Sequence, residues 1–175
     1  QTGRGRVHIF YKNNEMAGYC GVQHALQLRG IDGNFGPARK VSILSMGSVS
    51  RGAIYALKGH GFFDITVYTR RPLFVAAGKV PGVRYRQILW DGKSDFKAVS
   101  LLKENTLLID ELTHSDIIVN AMLQDPNKPV IFIQDDDIER FKKECLIIDV
   151  SCDTGMGFSF AHPTGFESPI RRFGS

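Results

Sequence analysis

Residues 40–53, Lys-Val-Ser-Ile-Leu-Ser-Met-Gly-Ser-Val-Ser-Arg-Gly-Ala, constrain this chain more than any other segment. An apolar run over 41–44 stops at a Ser/Gly-rich turn. Val49, Ala53, Ala56 and Leu57 then recur at helical spacing on one face. Strand, tight turn and helix in that order open a βαβ unit of the dinucleotide-binding kind. Such a turn lets backbone N–H groups and the positive end of a helix approach a pyrophosphate. In the G-x-G-x-x-G frame, Ser45 and Ser50 stand at the first and third glycines, and Gly47 is kept. A lone degenerate loop has low specificity. If it is used, Ser45, Gly47, Ser48, Val49 and Ser50 line the phosphates.

The next strand sharpens the expectation. Residues 64–69 read as β and end where a NAD site usually places a ribose-binding acid. No Asp or Glu stands there; the strand runs into Thr69-Arg70-Arg71-Pro72. A carboxylate would accept from the ribose 2′-OH and repel a 2′-phosphate. A hydroxyl and two guanidinium forks do the reverse. An isolated Arg-Arg pair reads as solvated loop charge; at this strand end, Thr69, Arg70 and Arg71 predict NADP(H) over NAD(H).

Further along, Val83 to Trp90 reads as an irregular third strand, and 98–112 fits either a helix or extended segments. Residues 116–121 and 146–151 are continuous apolar runs, as in strands of a parallel sheet covered on both faces. Ahead of 40, Asn13 and Asn14 are candidate caps for a helix carrying Met16, Tyr19, Cys20, Val22, Leu26 and Leu28, stopped by Gly30. That helix can pack within the domain or against a second subunit of a homo-oligomer. Asp135-Asp136-Asp137 before Ile138 and Lys142-Lys143 behind it complement a helix dipole, which accounts for the acidic run better than a metal site does. The expected fold class is α/β: a Rossmann-like, doubly wound parallel sheet with helices on both faces and right-handed crossovers.

The whole chain, at 175 residues, 43% hydrophobic and 23% charged, fits one soluble domain. Its formal charge of +4 is dispersed, without the interleaved basic and aromatic residues of a nucleic-acid surface. No run approaches membrane-spanning length, and no signal peptide is evident. Cys20, Cys145 and Cys152 show no metal-ligand spacing, which favours reduced thiols in the cytoplasm. A start at Gln1 and an end at Ser175 without a closing element suggest part of a longer protein.

In a doubly wound sheet the ligand lies at the carboxyl ends of the strands. Besides the two ends above, those are Asn120, Ala121, Met122 and Leu123, and the segment 151–157. The first group either lines an adenosine or nicotinamide ribose or simply finishes a strand. Asp153, between an apolar strand and Gly155-Met156-Gly157, either orients an amine or a water or terminates the strand by bonding backbone N–H groups. His162 reads as a surface loop residue.

These residues resemble the alanine dehydrogenase and pyridine nucleotide transhydrogenase family, above all its opine-type branch, the N5-(carboxyethyl)ornithine synthases. The resemblance runs from Tyr11-Lys12-Asn13-Asn14-Glu15-Met16-Ala17-Gly18-Tyr19 through the 45–52 loop and Asn120–Leu123 to His162-Pro163-Thr164. Its most specific block is the apolar strand with Asp-Val-x-x-Asp and glycines, carried here by Asp149 and Asp153. The resemblance implies reduction of an imine between an amino acid, such as ornithine or lysine, and a 2-keto acid, pyruvate, with NADPH as donor. Alanine dehydrogenase-like oxidative deamination is the related alternative. It also implies that Asp153 is catalytic, that 120–123 line the cofactor, and that the catalytic Lys and His belong to a separate substrate domain. The chain then divides into a leading segment and helix (1–39), a nucleotide domain (40–160) and an exit segment (161–175). Gly52, two residues past the usual third glycine, is expected to give close helix–strand packing. The rival expectation is a non-catalytic Rossmann-like module that binds a ligand or a partner chain.

Overall fold

A computed structural model describes residues 11–74, 80–90, 96–100, 102, 104–151 and 153–174. Cys152, the segment 75–79 and the apolar stretch at 7–10 lie outside the described residues. The chain opens with helix α1 (Tyr11–Arg29) and strand β1 (Val41–Leu44), followed by α2 (Ser48–Gly59) and β2 (Ile65–Thr69). After β3 (Arg84–Trp90), β4 (Phe96–Val99) and β5 (Asn105–Leu107) come α3 (Leu108–Thr113) and β6 (Ile117–Asn120). A short β7 (Ile131–Ile133), a 3-10 turn (Asp135–Arg140), β8 (Leu146–Asp149) and β9 (Gly157–Phe158) complete it.

The main sheet has the order β5-β4-β3-β2-β1-β6-β8. Five adjacent strands, β3, β2, β1, β6 and the edge strand β8, run parallel in register, with Val41 beside both Ile65 and Ile117, and Ile117 beside Leu146. From β1 the chain winds outward through β2 and β3, then returns to β6 on the other side. The switch point therefore lies between β1 and β6, the position at which open α/β sheets hold ligands. The outer β4 and β5 pair antiparallel, so the ambiguous segment 98–112 resolves into extended strand followed by a short helix.

Strand alternation divides the apolar residues between two cores. Val41, Ile43, Ile65, Val67, Ile117 and Val119 face α1 and α2, meeting Val22, Leu26, Ile54 and Leu57. On the other face, Leu44, Tyr68 and Ile118 meet Leu108 and Leu112 of α3, with Phe132, Ile133 and Phe158 from β7 and β9. Helices thus cover one face fully, while the other carries the short α3 and a two-stranded sheet of β7 and β9. Each fully buried Val, Leu or Ile in these cores contributes roughly 1.5–3 kcal/mol by the usual transfer scale.

Two local expectations are corrected. Asn13 and Asn14 do not cap α1; they lie inside it, because the helix already runs from Tyr11. It does end at Gly30, whose φ of +60° turns the chain while the amide of Ile31 bonds back to the carbonyl of Leu26 at 3.0 Å. The acidic run does not precede a helix but forms one short 3-10 turn, closed at Phe141 before the lysines. Asp137 folds back to cap Gln134, and Lys142 turns away to an ion pair with Asp116 at 2.7 Å.

Candidate functional site

The carboxyl ends of β2, β1, β6 and β8 stand side by side, in that order, on one edge of the sheet. They bring together all the sequence-predicted residues: 45–50 after β1, 69–71 after β2, 120–123 at β6 and Asp153 after β8.

The β1–α2 turn is built to let another group approach. Ser45 takes a φ of +93° and is the one non-glycine with positive φ among the described residues. Its amide extends the ladder to the carbonyl of Tyr68 at 2.7 Å, fixing the strained residue at the end of the strand. Gly47 caps α2 in extended conformation without a side-chain hydrogen bond to the first turn. A Cβ on Gly47 would meet nothing within 4 Å, so open space faces the start of the helix. Ser50 is fully buried and its hydroxyl has no hydrogen-bond partner among the described residues. Ser48 and Val49 are half-buried in the same turn.

Gly52 does not pack against a strand, as expected from the sequence; it faces α1. A Cβ there would overlap the carbonyl of Glu15, and one on Gly18 would overlap that of Val49. The two helices therefore meet backbone to backbone just behind the turn.

At the end of β2 the buried Thr69 hydroxyl accepts the amide of Arg71 at 3.1 Å and bends the chain outward. Arg70 and Arg71 are exposed there and form no ion pair with any described residue.

The β6 end divides its residues. Leu123 is 89% exposed, whereas Ala121 is buried and Met122 is packed into the second core. Asn120 is fully buried and joins β6 to β8: its Nδ2 donates to Asp149 Oδ1 and to Ser151 Oγ, each at 3.0 Å. Ser151 in turn donates to the same Asp149 oxygen at 2.7 Å. Sequence reasoning gave Asp149 and Ser151 no individual role. The available signal was an acid and a hydroxyl two residues apart at the end of an apolar strand, where they point to the same side. Asp153 is exposed, and its carbonyl accepts the amide of Met156 at 3.2 Å in a turn.

Cys145 is no candidate nucleophile. Burial, with the nearby Asp116 charge, pushes its thiol up to about 12, leaving it protonated. A cavity of about 660 Å³ opens at the opposite, amino edge of the sheet, lined by Lys40, Thr66, Arg84, Arg86 and Glu111 among others. Its arginines are engaged, Arg84 with Asp64 and Thr66, Arg86 with Glu111. The strand ends, where free cations and open backbone coincide, are the better site.

The residues at these ends fit a dinucleotide: open space beside Gly47, an uncapped helix start, and unpaired arginines one strand over. Comparison with known proteins agrees in fold. An L-alanine dehydrogenase structure superposes with a TM-score of 0.61 at 20% identity, over 91% of this chain and 44% of that one. The transhydrogenase of Sinorhizobium meliloti gives 0.55 at 16% identity, over 85% and 46%. Among curated sequences, the N(5)-(carboxyethyl)ornithine synthase of Clostridium botulinum is 30% identical over 91% of this chain. That of Lactococcus lactis is 28% identical over 93%. The chain spans only 39% and 40% of the length of these two relatives. The family model described as "Alanine dehydrogenase/PNT, C-terminal domain" matches residues 40–173, and the chain belongs to that family.

Proposed function

We propose that this chain is the NADPH-binding part of an amino-acid dehydrogenase of opine type, which joins an amino acid to a 2-keto acid by reducing their imine. The observation that carries the reading is the row of adjacent strand ends, with an uncapped α2 beside Gly47 and the unpaired Arg70 and Arg71 one strand away. The amides of α2's first turn and Ser48 hold the pyrophosphate. Thr69 shapes the turn that presents both guanidinium groups to a 2′-phosphate. Leu123 offers apolar surface to a ribose or nicotinamide. A bound nicotinamide supplies hydride; Asp153, exposed beyond β8, holds the substrate amine or a water. The names of the N(5)-(carboxyethyl)ornithine synthases support ornithine as the amino acid. The remaining catalytic groups belong to a substrate domain elsewhere in the full-length protein.

The test is a titration of the full-length protein with NADPH and NADH, followed by nicotinamide fluorescence. NADPH should bind more tightly by roughly 10–100-fold, the worth of one or two charge-assisted contacts. Arg70→Ala with Arg71→Ala should remove most of that preference and leave NADH binding near its starting value. Equal affinity for the two cofactors defeats the 2′-phosphate assignment. Binding of neither favours a non-catalytic module, a reading that Ser45 and Ser50 in the glycine positions would then support.

A further inference from the structure

The Asn120 side chain already makes three hydrogen bonds within the protein. It is fully buried, both Nδ2 hydrogens go to Asp149 and Ser151, and its Oδ1 accepts the amide of Met122 at 3.3 Å. The Asp149 carboxylate fixes this orientation, since a flipped amide would set carbonyl oxygen against carboxylate oxygen. The same side chain meets both ends of the loop 151–157. Ser151, at its start, accepts from Asn120 while donating to Asp149 at 2.7 Å. Gly157, at its end, has a φ of +80° and lies so close that a Cβ would stand 2.8 Å from Asn120 Nδ2. Between those anchors the loop is held by its own turn at Asp153 and by the Gly155 amide, which bonds to the carbonyl of Ala161 at 3.2 Å.

We infer that Asn120, oriented by Asp149, is a positioning residue: it clamps the loop 151–157 at both ends and so sets where Asp153 stands in the cofactor crevice. The inference rests on the proposed role of Asp153. It also gives Asn120 a different task from cofactor contact. Register pairs Asn120 with Asp149 at the last step of β6 and β8, so the clamp is built on the rigid sheet. A displacement of about 1 Å in a reacting group costs up to roughly 100-fold in rate.

The test is a double-mutant cycle in the full-length protein, reading NADPH-dependent turnover of ornithine with pyruvate. Ser151→Ala keeps the Asn120–Asp149 bond and frees the start of the loop. It should lower kcat roughly tenfold, with the NADPH dissociation constant within about twofold of wild type. Against an Asp153→Asn background the same substitution should cost little further, because the group it positions is already disabled. Asn120→Asp gives a second readout. It sets two carboxylates against each other that share a proton. Its kcat should therefore recover as pH falls, as protonation restores a donor to Asp149, while circular dichroism shows the fold unchanged over the same range; a recovery that only follows regained fold overturns the clamp. Additive losses in the cycle, or an unchanged kcat in folded Ser151→Ala, overturn the clamp. Full activity in Asp153→Asn alone instead overturns the catalytic reading of Asp153, and cofactor titration remains to judge the nucleotide site separately.

Discussion

Ser45 carries a cost that the rest of the turn must sustain. A side chain at φ +93° is disfavoured by of order 1–3 kcal/mol, and in the fingerprint frame a glycine would occupy the position without strain. The bond from its amide to Tyr68 and the onset of α2 at Ser48, directly after Gly47, hold the backbone in this path. Ser45→Gly should therefore stabilise the fold, even after the added freedom of glycine in the unfolded chain takes back roughly 0.5–1 kcal/mol. The expected net gain is about 1 kcal/mol, a rise in Tm of roughly 2–4 °C for a domain of this size. Thermal unfolding followed by circular dichroism checks it, and a lowered Tm would show that the hydroxyl contributes more than the strain removes.

At the scale of elements, the contact between α1 and α2 decides how far the nucleotide turn can move. Gly18 and Gly52 let the two backbones touch, and neither obstructing group is a flexible side chain. Gly52→Ala must push α1 off α2, at a cost of roughly 1–3 kcal/mol read from chemical denaturation. Gly59→Ala, in the same helix with nothing within 4 Å of the new methyl, should be neutral or stabilising, by up to about 1 kcal/mol. A Gly52→Ala protein as stable as Gly59→Ala would mean that the helices separate freely. This contact was not legible in the sequence. The 41–57 pattern spelled out strand, turn and helix because apolar spacing reports which face is buried. It does not report which neighbour a small residue touches, so Gly52 reads as packing on a strand although it meets α1 at Glu15. The strands at 117–120 and 146–149 were legible as continuous apolar runs, since a strand covered on both faces has little polar side to show, and those at 41–44 and 65–69 as short β segments either side of the turn and helix. The 135–140 segment misled because three acids ahead of lysines fit a helix dipole equally well as a capped 3-10 turn with outward ion pairs. Among the proposed site residues, Arg70 and Arg71 were legible as a basic pair directly after a strand, and they stand exposed there. The Asn120–Asp149–Ser151 contact needed the register of two strands far apart in sequence.

For the molecule as a whole, one carboxylate ties the antiparallel extension to the parallel sheet. Glu111 of α3 accepts from Tyr68 of β2 at 3.0 Å, from Arg86 of β3 at 2.9 Å and from Thr106 of β5 at 3.0 Å. Arg86 also donates to the carbonyl of Ala98 in β4 at 3.0 Å, so β2 through β5 and α3 share a single network. Burial pushes the Glu111 carboxyl up, but the Thr106 and Tyr68 hydrogen bonds and the Arg86 and Lys40 charges outweigh it and hold the group below its ordinary 4.5. Tyr68, buried against that carboxylate, is held well above the ordinary phenol range and keeps its proton to donate. A carboxyl depressed in the folded state contributes stability that is complete above its unfolded value and disappears as pH falls through its folded value. Asp116, bonded by Lys142 and by the Lys40 amide, adds a fall of the same sign below 3.8. The protein should thus hold a plateau of stability above about pH 5 and lose it progressively towards pH 3. Glu111→Gln puts an amide, half donor, among three donors. It should lower the plateau by roughly 1–3 kcal/mol for the unsatisfied buried group. Because the amide does not titrate, the wild-type and variant curves of Tm against pH should converge in acid. Parallel curves down to pH 3 would place the acid sensitivity elsewhere and leave Glu111 a neutral link in the network.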